Sequence, residues 1–99
     1  MAIYALSSGP GTSGVAVIRV SGKETSDVIR LLTGKEPPEP RKACLRKVNK
    51  INTSEVIDEG IIIWFPGPQS YTGEDMAEIQ VHGSKAVIDA LHSSISKIK

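Results

Sequence analysis

The chain of 99 residues carries 12 Lys and Arg against 11 Asp and Glu, a formal net charge of +1. About 46% of its residues are apolar when glycine is counted and tyrosine is not, and this length allows one globular domain. The single cysteine, Cys44, excludes an intramolecular disulfide framework and a clustered-thiolate zinc site. The longest apolar run, residues 61–65, is far shorter than the roughly 20 residues of a membrane-spanning helix. No signal peptide is visible, so we expect a soluble domain of a reducing compartment.

The first third of the chain predicts two strands and a helix. Residues 3–6 and the β-branched residues 15–20 have the composition of short strands, with a glycine-rich loop between them. Ser21, followed three residues later by Glu24, predicts a capping box at the start of a helix. Gly34 is a natural end for that helix because glycine adopts the left-handed conformation of a C-cap.

The rest of the chain predicts three more strands and a second helix. Residues 36–40 contain three prolines and form a stiff connector, after which residues 43–48 predict a polar edge strand. Residues 60–65 are apolar on both faces and predict a central strand covered on both sides. Residues 77–81 alternate in polarity as a strand does, and Gly83 precedes an amphipathic helix. The order β-β-α-β-β-β-α predicts an α+β fold with a mixed β-sheet and two helices packed on it.

The small net charge hides an asymmetry between the two halves of the sequence. Residues 1–50 hold nine basic and four acidic groups, whereas residues 51–99 hold three basic and seven acidic groups. One interpretation is a nucleic-acid patch that neutralises phosphates, and the other is a solvated edge strand that its charges protect from aggregation. No aromatic residue lies among these cations as a base-stacking platform, which favours the edge strand. The cluster consists of Arg41, Lys42, Arg46, Lys47 and Lys50.

Two sequence patterns suggest nucleotide binding or catalysis, but the residues around each pattern argue against that interpretation. Gly9, Gly11 and Gly14 match the dinucleotide pattern G-x-G-x-x-G, but the loop leads into a predicted strand and not into a helix. No G-x-x-x-x-G-K-[ST] phosphate loop occurs, so we do not expect this chain alone to hydrolyse GTP or ATP. Ser70 and His82 suggest a nucleophile and a base, but no orienting acid is visible in the sequence.

Two charged residues in predicted strands are better candidates for a binding site. Arg19 interrupts an apolar strand and shares a face with Val17, while Glu78 shares a face with Gln80. A carboxylate on a strand accepts two parallel hydrogen bonds from a planar amino-heterocycle with adjacent N–H donors, which is the edge that a pterin or guanine presents. The alternative is a structural salt bridge between the two strands.

Three ordered blocks, residues 14–22, 64–75 and 78–83, resemble the N-terminal domain of the tRNA modification GTPases of the MnmE (TrmE) family. The resemblance extends over essentially the whole chain and includes the unusual run Trp-Phe-Pro-Gly-Pro. Ser84 stands where the family usually repeats glycine, and Tyr71 stands where phenylalanine is common. Neither departure removes a charged group of the expected site.

The resemblance implies that residues 1–99 form an N-terminal folate-binding and dimerisation domain whose fold resembles the tetrahydrofolate-binding domain of aminomethyltransferases. It implies binding of 5-formyl-tetrahydrofolate as the occupant of a one-carbon donor site. The family's folate-contacting arginine corresponds to Arg19, and its folate-contacting glutamate corresponds to Glu78. Family members continue with further folate-binding sequence, a helical domain and a G domain that uses GTP, Mg and K. We therefore expect these residues to be part of a longer protein and to catalyse nothing alone.

The resemblance also implies a set of partners. These are a second copy of the chain in a homodimer, the flavin-dependent protein MnmG, and a tRNA whose wobble uridine the complex modifies in the cytoplasm, away from any membrane. Two alternatives to folate binding remain at this stage. The basic cluster contacts tRNA directly, or the domain is purely structural and only dimerises.

Overall fold

The computed structural model of the chain describes residues 14–51, 53, 55–68 and 73–97 together with the backbone of residues 3–6. It contains five strands and two helices in the predicted order β-β-α-β-β-β-α. The elements are β1 (Ile3–Leu6), β2 (Val15–Ser21), α1 (Thr25–Thr33), β3 (Cys44–Asn49), β4 (Val56–Phe65), β5 (Met76–His82) and α2 (Lys85–Ser96). The predicted α+β class with two helices is confirmed.

The five strands form one sheet in the order β1-β2-β5-β4-β3. Every strand pairing in this sheet is antiparallel, so the expectation of a mixed sheet is wrong. The reason lies in α1, which carries the chain from β2 to the far edge of the sheet instead of to a neighbouring parallel strand. Two successive antiparallel connections, β3–β4 and β4–β5, then bring β5 back beside β2. The prediction that β3 is an edge strand is confirmed.

Both helices pack on the same face of the sheet and form one hydrophobic core with it. Alternate residues of the three inner strands, such as Ile18, Ile62 and Ile79, point toward the helices and are at most 1% exposed. Leu32 of α1 and Leu91 of α2 belong to the same buried cluster. The elements therefore share one core, and none of the helices in the described residues lies on the opposite face of the sheet.

That opposite face, called the open face below, gives β4 a different environment from the one expected. Ile61 and Ile63 on the open face are only half-buried, whereas Ile62 between them is buried. The expectation that this strand is covered on both sides is therefore wrong within the described residues. Full burial of Ile61 and Ile63 requires a further layer on the open face, in addition to the sheet and the two helices.

The start of α1 differs from the predicted capping box. Ser21 is the last residue of β2 and lies opposite Met76 of β5, so its backbone belongs to the sheet. The N-cap position is Glu24, whose side chain makes no capping hydrogen bond. Buried Thr25 fixes this corner instead, because its hydroxyl donates to the carbonyl oxygen of Gly22 at 2.7 Å and lies 3.2 Å from that of Asp75.

The end of α1 and the start of α2 follow the sequence signals. Gly34 adopts the left-handed conformation with φ of +70°, and its N–H donates to the carbonyl oxygen of Arg30 at 2.8 Å. Ser84 caps α2 by accepting a hydrogen bond from the backbone N–H of Val87 at 3.3 Å. None of the described helices is long and apolar enough to cross a membrane.

Candidate functional site

Arg19 and Glu78 lie directly opposite each other on the two central strands β2 and β5. Their side chains share the open face, as the alternation of each strand predicts, and Arg19 Nε lies 3.8 Å from Glu78 Oε2. The Arg19 side chain is 44% exposed and that of Glu78 is 18% exposed. The structure therefore brings the two predicted site residues together, in a pair that solvent and ligands reach from the open face.

The surroundings of Glu78 combine a second polar group with apolar neighbours. Gln80 Nε2 donates a hydrogen bond to Glu78 Oε1 at 3.0 Å. Val17 of β2 and Ile61 of β4 flank Gln80, while Ile63 of β4 lies opposite Glu78. An ionised carboxylate has about four acceptor positions. Beyond the contacts to Arg19 and Gln80, it can accept further N–H donors above an apolar surface.

A second polar pair, Asp58 and His82, lies where β4 and β5 meet. One Asp58 oxygen accepts the backbone N–H of His82 at 2.8 Å, and the ring Nδ1 of His82 is 2.8–2.9 Å from the two carboxylate oxygens. Because an ionised carboxylate only accepts hydrogen bonds, Nδ1 of His82 carries the proton in this pair, and the His82 side chain is 75% exposed. No acid for His82 is visible in the sequence, since only the strand pairing brings these two residues together.

The hydrogen bonds from His82 set the charge state of Asp58. Burial, the largest single effect, raises the pKa of the Asp58 carboxyl, but the bonds from the backbone and ring of His82, assisted by the Glu59 backbone, outweigh it. The pKa of Asp58 is therefore lowered, and the group is an anion at neutral pH.

Several other predicted motifs fall only partly within the described residues. Gly14 precedes β2 directly, which confirms that the glycine-rich segment leads into a strand, while Gly9 and Gly11 lie outside the described residues. Ser70, the imagined nucleophile, also lies outside them. In the described part of the chain, no group of three or more His, Cys, Asp and Glu is arranged to hold a metal ion.

A cleft of about 500 Å³ opens beside the turn that links β2 to α1. Gly22, Lys23 and the loop after β4 line it, and this loop is closed by a hydrogen bond from the Gly67 N–H to Asp75 Oδ1 at 2.9 Å. Residues 69–72, which follow Pro68 in the sequence, lie outside the described residues.

The family model described as the GTP-binding protein TrmE N-terminus matches residues 2–99 of the chain. This match includes both strands that carry the Arg19–Glu78 pair. The chain belongs to this TrmE N-terminal family. The resemblance found from the sequence blocks is therefore confirmed.

Individual relatives agree with the family match. The chain is 75% identical over its whole length to a tRNA modification GTPase MnmE of Pelagibacter ubique, of which it covers 22%. It is 46% identical over 97% of its length to the mitochondrial 5-taurinomethyluridine-[tRNA] synthase subunit GTPB3 of Danio rerio, of which it covers 19%. An MnmE of Zymomonas mobilis is 45% identical over 97% of the chain, which covers 22% of that protein. The chain thus spans about a fifth of the length of these TrmE relatives.

Proposed function

We propose that this TrmE N-terminal domain binds a reduced folate, 5-formyl-tetrahydrofolate or a close derivative, through Glu78 and Arg19. The observation that carries the proposal is the position of the Glu78 carboxylate. It lies on the open face of the central strand β5, is 18% exposed, and stands beside a cation that is not within hydrogen-bonding distance. Such a carboxylate is available to a ligand with paired N–H donors.

The chemistry of this donor set fits a folate. The amino edge of a pterin presents adjacent N–H donors, and the Glu78 carboxylate retains acceptor positions beyond the one that Gln80 occupies. Arg19, at 3.8 Å from Glu78, retains N–H donors for a carbonyl or anionic group of the ligand. Ile61 and Ile63 supply half-buried apolar surface beside the polar pair. When bound, the folate would supply a one-carbon unit, while the role of these residues is to bind and orient it.

The setting of this binding function is also part of the proposal. We infer that the domain works at the N-terminus of a tRNA modification GTPase, the activity in the names of its relatives, and that this protein acts in the cytoplasm. There it forms a homodimer and cooperates with the flavin-dependent MnmG on tRNA, and GTP, Mg and K bind to a G domain outside these residues. The half-buried apolar side chains of the open face support dimerisation, because they are suited to a further protein layer.

Isothermal titration with 5-formyl-tetrahydrofolate tests the binding site. Glu78→Gln keeps the shape of the side chain but removes its charge, so we expect affinity to fall about 10- to 100-fold, the effect of losing hydrogen bonds to a charged group. Glu59→Gln is the matched control, because Glu59 is an exposed carboxylate on the neighbouring strand β4. We expect its affinity to equal that of the parent chain.

The same titration separates folate binding from a purely structural ion pair. If Glu78 and Arg19 only hold the strands together, the parent chain gives no folate-dependent heat, and Glu78→Gln lowers the melting temperature. Unchanged folate affinity in Glu78→Gln at unchanged stability would refute the assignment of Glu78. Arg19→Gln provides a second test, since it removes the other half of the site while leaving the carboxylate in place.

A further inference from the structure

A second concave surface lies on the other side of the molecule from β2, between the end of α1 and the edge strand β3. This cleft, called the β3 cleft, has a volume of about 460 Å³ and is open to solvent. Its walls are mainly polar and carry three cations and one carboxylate. The lining residues are Thr33, Lys35, Leu45, Arg46, Lys47, Asn49, Val56 and Glu59.

The structure divides the basic cluster of the sequence into paired and unpaired cations. Lys42 forms an ion pair with Glu39 at 3.3 Å, and Lys50 forms one with Glu55 at 2.8 Å. The three other cations of this cluster, together with Lys35, which lies outside it, have no carboxylate oxygen within 4.0 Å among the described residues. Three of these line the β3 cleft and the fourth lies at the turn before β3. They are Lys35, Arg46, Lys47 and Arg41.

The backbone at Arg41 gives an independent reason to look for a function here. Arg41 has φ of +61°, the left-handed region that residues with a side chain rarely adopt, and its backbone N–H donates to the carbonyl oxygen of Trp64 at 2.7 Å. Glycine or asparagine would adopt this conformation at lower cost. An exposed arginine at such a position is unfavourable for the fold, which indicates that its charge serves another purpose.

We propose that the β3 cleft and Arg41 form a contact surface for the phosphate backbone of double-stranded RNA, such as a stem of a tRNA. Unpaired arginine and lysine side chains along one edge neutralise successive phosphates and release their counterions. None of the described residues that line the cleft is tyrosine, tryptophan or phenylalanine, so this part of the surface offers no base-stacking platform of the kind that single-strand binders use. RNA is favoured over an acidic protein because the relatives are named for tRNA modification.

This surface is distinct from the Arg19–Glu78 pair and does not depend on folate binding. Glu59, the carboxylate in the wall, limits the local potential. Because Glu59 lowers the positive potential, we expect the cleft to bind the phosphate backbone of RNA with moderate affinity and without sequence preference.

Replacement of Arg41 separates a binding role from a structural one. Arg41→Gly removes the charge and suits the left-handed backbone, so we expect the melting temperature to stay the same or rise while RNA affinity falls several-fold. Arg41→Lys keeps the charge and the unfavourable backbone, so we expect it to bind RNA nearly as well as the parent. The measurement is fluorescence anisotropy with a labelled RNA hairpin of a tRNA stem, alongside thermal unfolding.

A titration of RNA binding against salt concentration, with the same RNA, measures the number of phosphate contacts. Four phosphate contacts predict a slope of about −3.6 for log K against log salt, or roughly a 100-fold loss of affinity between about 50 and 200 mM salt. The double variant Arg46→Gln with Lys47→Gln should reduce the magnitude of this slope by about 2. Lys23→Gln, which removes an exposed cation outside the cleft, is the matched control and should leave the slope within about 1 of the parent value.

Four results would overturn the proposal. The first is RNA binding that is absent in the parent chain at low salt, and the second is binding that all charge variants reduce equally, including Lys23→Gln. The third is displacement of the RNA by polyglutamate as efficiently as by unlabelled duplex RNA, which would indicate an acidic protein partner. Aggregation of the Arg46 and Lys47 variant at unchanged RNA affinity would show that these charges only protect the edge strand.

Discussion

At the scale of single residues, the carboxylate of Asp58 is bound by two donors from one residue, the backbone N–H and the ring of His82. This arrangement joins the ends of β4 and β5 and orients an exposed imidazole. Its two hydrogen bonds to a charged group, one of them from the backbone, are expected to be stronger than those of a surface pair. Asp58 is therefore a residue whose ionisation should be visible in the stability of the fold.

Asp58→Asn should destabilise the domain by about 1–2 kcal/mol near pH 5. Because the pKa of Asp58 is lowered in the folded state, this stabilisation is fully present above the unfolded pKa of about 3.9 and is lost as the pH falls through the folded value. We therefore expect the difference from the parent to shrink below about pH 4. Urea unfolding at a series of pH values between 5 and about 2.5 measures it.

Asp89→Asn is the control for this experiment, since Asp89 pairs with Lys85 on the exposed surface of α2. An exposed ion pair contributes little, so its effect should stay below about 0.5 kcal/mol. A difference between Asp58→Asn and the parent that persists unchanged to the lowest pH would contradict the role assigned to the Asp58 charge.

The residue scale also shows where sequence reasoning succeeds. Arg19 breaks the apolar pattern of its strand, and Glu78 follows the polar–apolar alternation of its own, so alternation predicted the face that each occupies, and the register places them opposite. Asp58 carries no such signal. Its partner His82 is 24 residues away, and only the pairing of β4 with β5 brings them together.

At the scale of elements, Gly60 shows how closely β4 and β5 approach each other. A Cβ atom at this position would overlap the backbone carbonyl oxygen of Gln80 and lie 3.0 Å from Cγ1 of Val81. Neither neighbour yields easily, because one is backbone of a central strand and the other is a buried side chain. Glycine is therefore required here by space and not by backbone conformation.

Gly60→Ala should lower the free energy of unfolding by about 1–3 kcal/mol, the usual cost of overpacking a core. Gly14→Ala is the matched control, because a Cβ there would meet no atom within 4 Å. Chemical denaturation of both variants provides the comparison. Equal stability of the two variants would mean that the β4–β5 spacing relaxes freely to accept the methyl group.

The element boundaries show which local signals survive in the tertiary structure. Ser84 caps α2 because the chain is free of the sheet at that point. Ser21 has the same capping chemistry, but its backbone pairs with Met76 in the sheet. Helix α1 therefore begins only at Thr25. The pairing partner of a strand end is not visible in a local window of sequence, which is why the prediction of a capping box at Ser21 was wrong.

At the scale of the whole molecule, the two described helices cover one face of the sheet and leave the other face without a helix from the described part of the chain. The open face carries Val15, which is 51% exposed, beside the half-buried Ile61 and Ile63. The sequence predicted apolar residues on both faces of β4 but could not reveal that both helices pack on one side. That choice follows from the course of α1 across the sheet.

If the open face forms the proposed homodimer, Val15→Glu should weaken self-association by at least tenfold, because it buries an unpaired charge in the interface. Leu31→Glu is the control, since Leu31 is similarly exposed, at 44%, but lies on α1, away from the open face. Sedimentation at several protein concentrations measures both. Equal weakening by the two variants, or none, would assign dimerisation to another surface.

The pairing of β2 with β5 also has a consequence for how the domain assembles. Strands β3, β4 and β5 follow one another along the chain and can pair through local contacts. Strand β2, in contrast, must close a loop of more than fifty residues to pair with β5. Such non-local closure is entropically costly and slow. Arg19 and Glu78 therefore come together only when the slow pairing of β2 with β5 has formed. A ligand that bridges Arg19 and Glu78 would stabilise the pairing of β2 with β5 and slow the separation of these two strands.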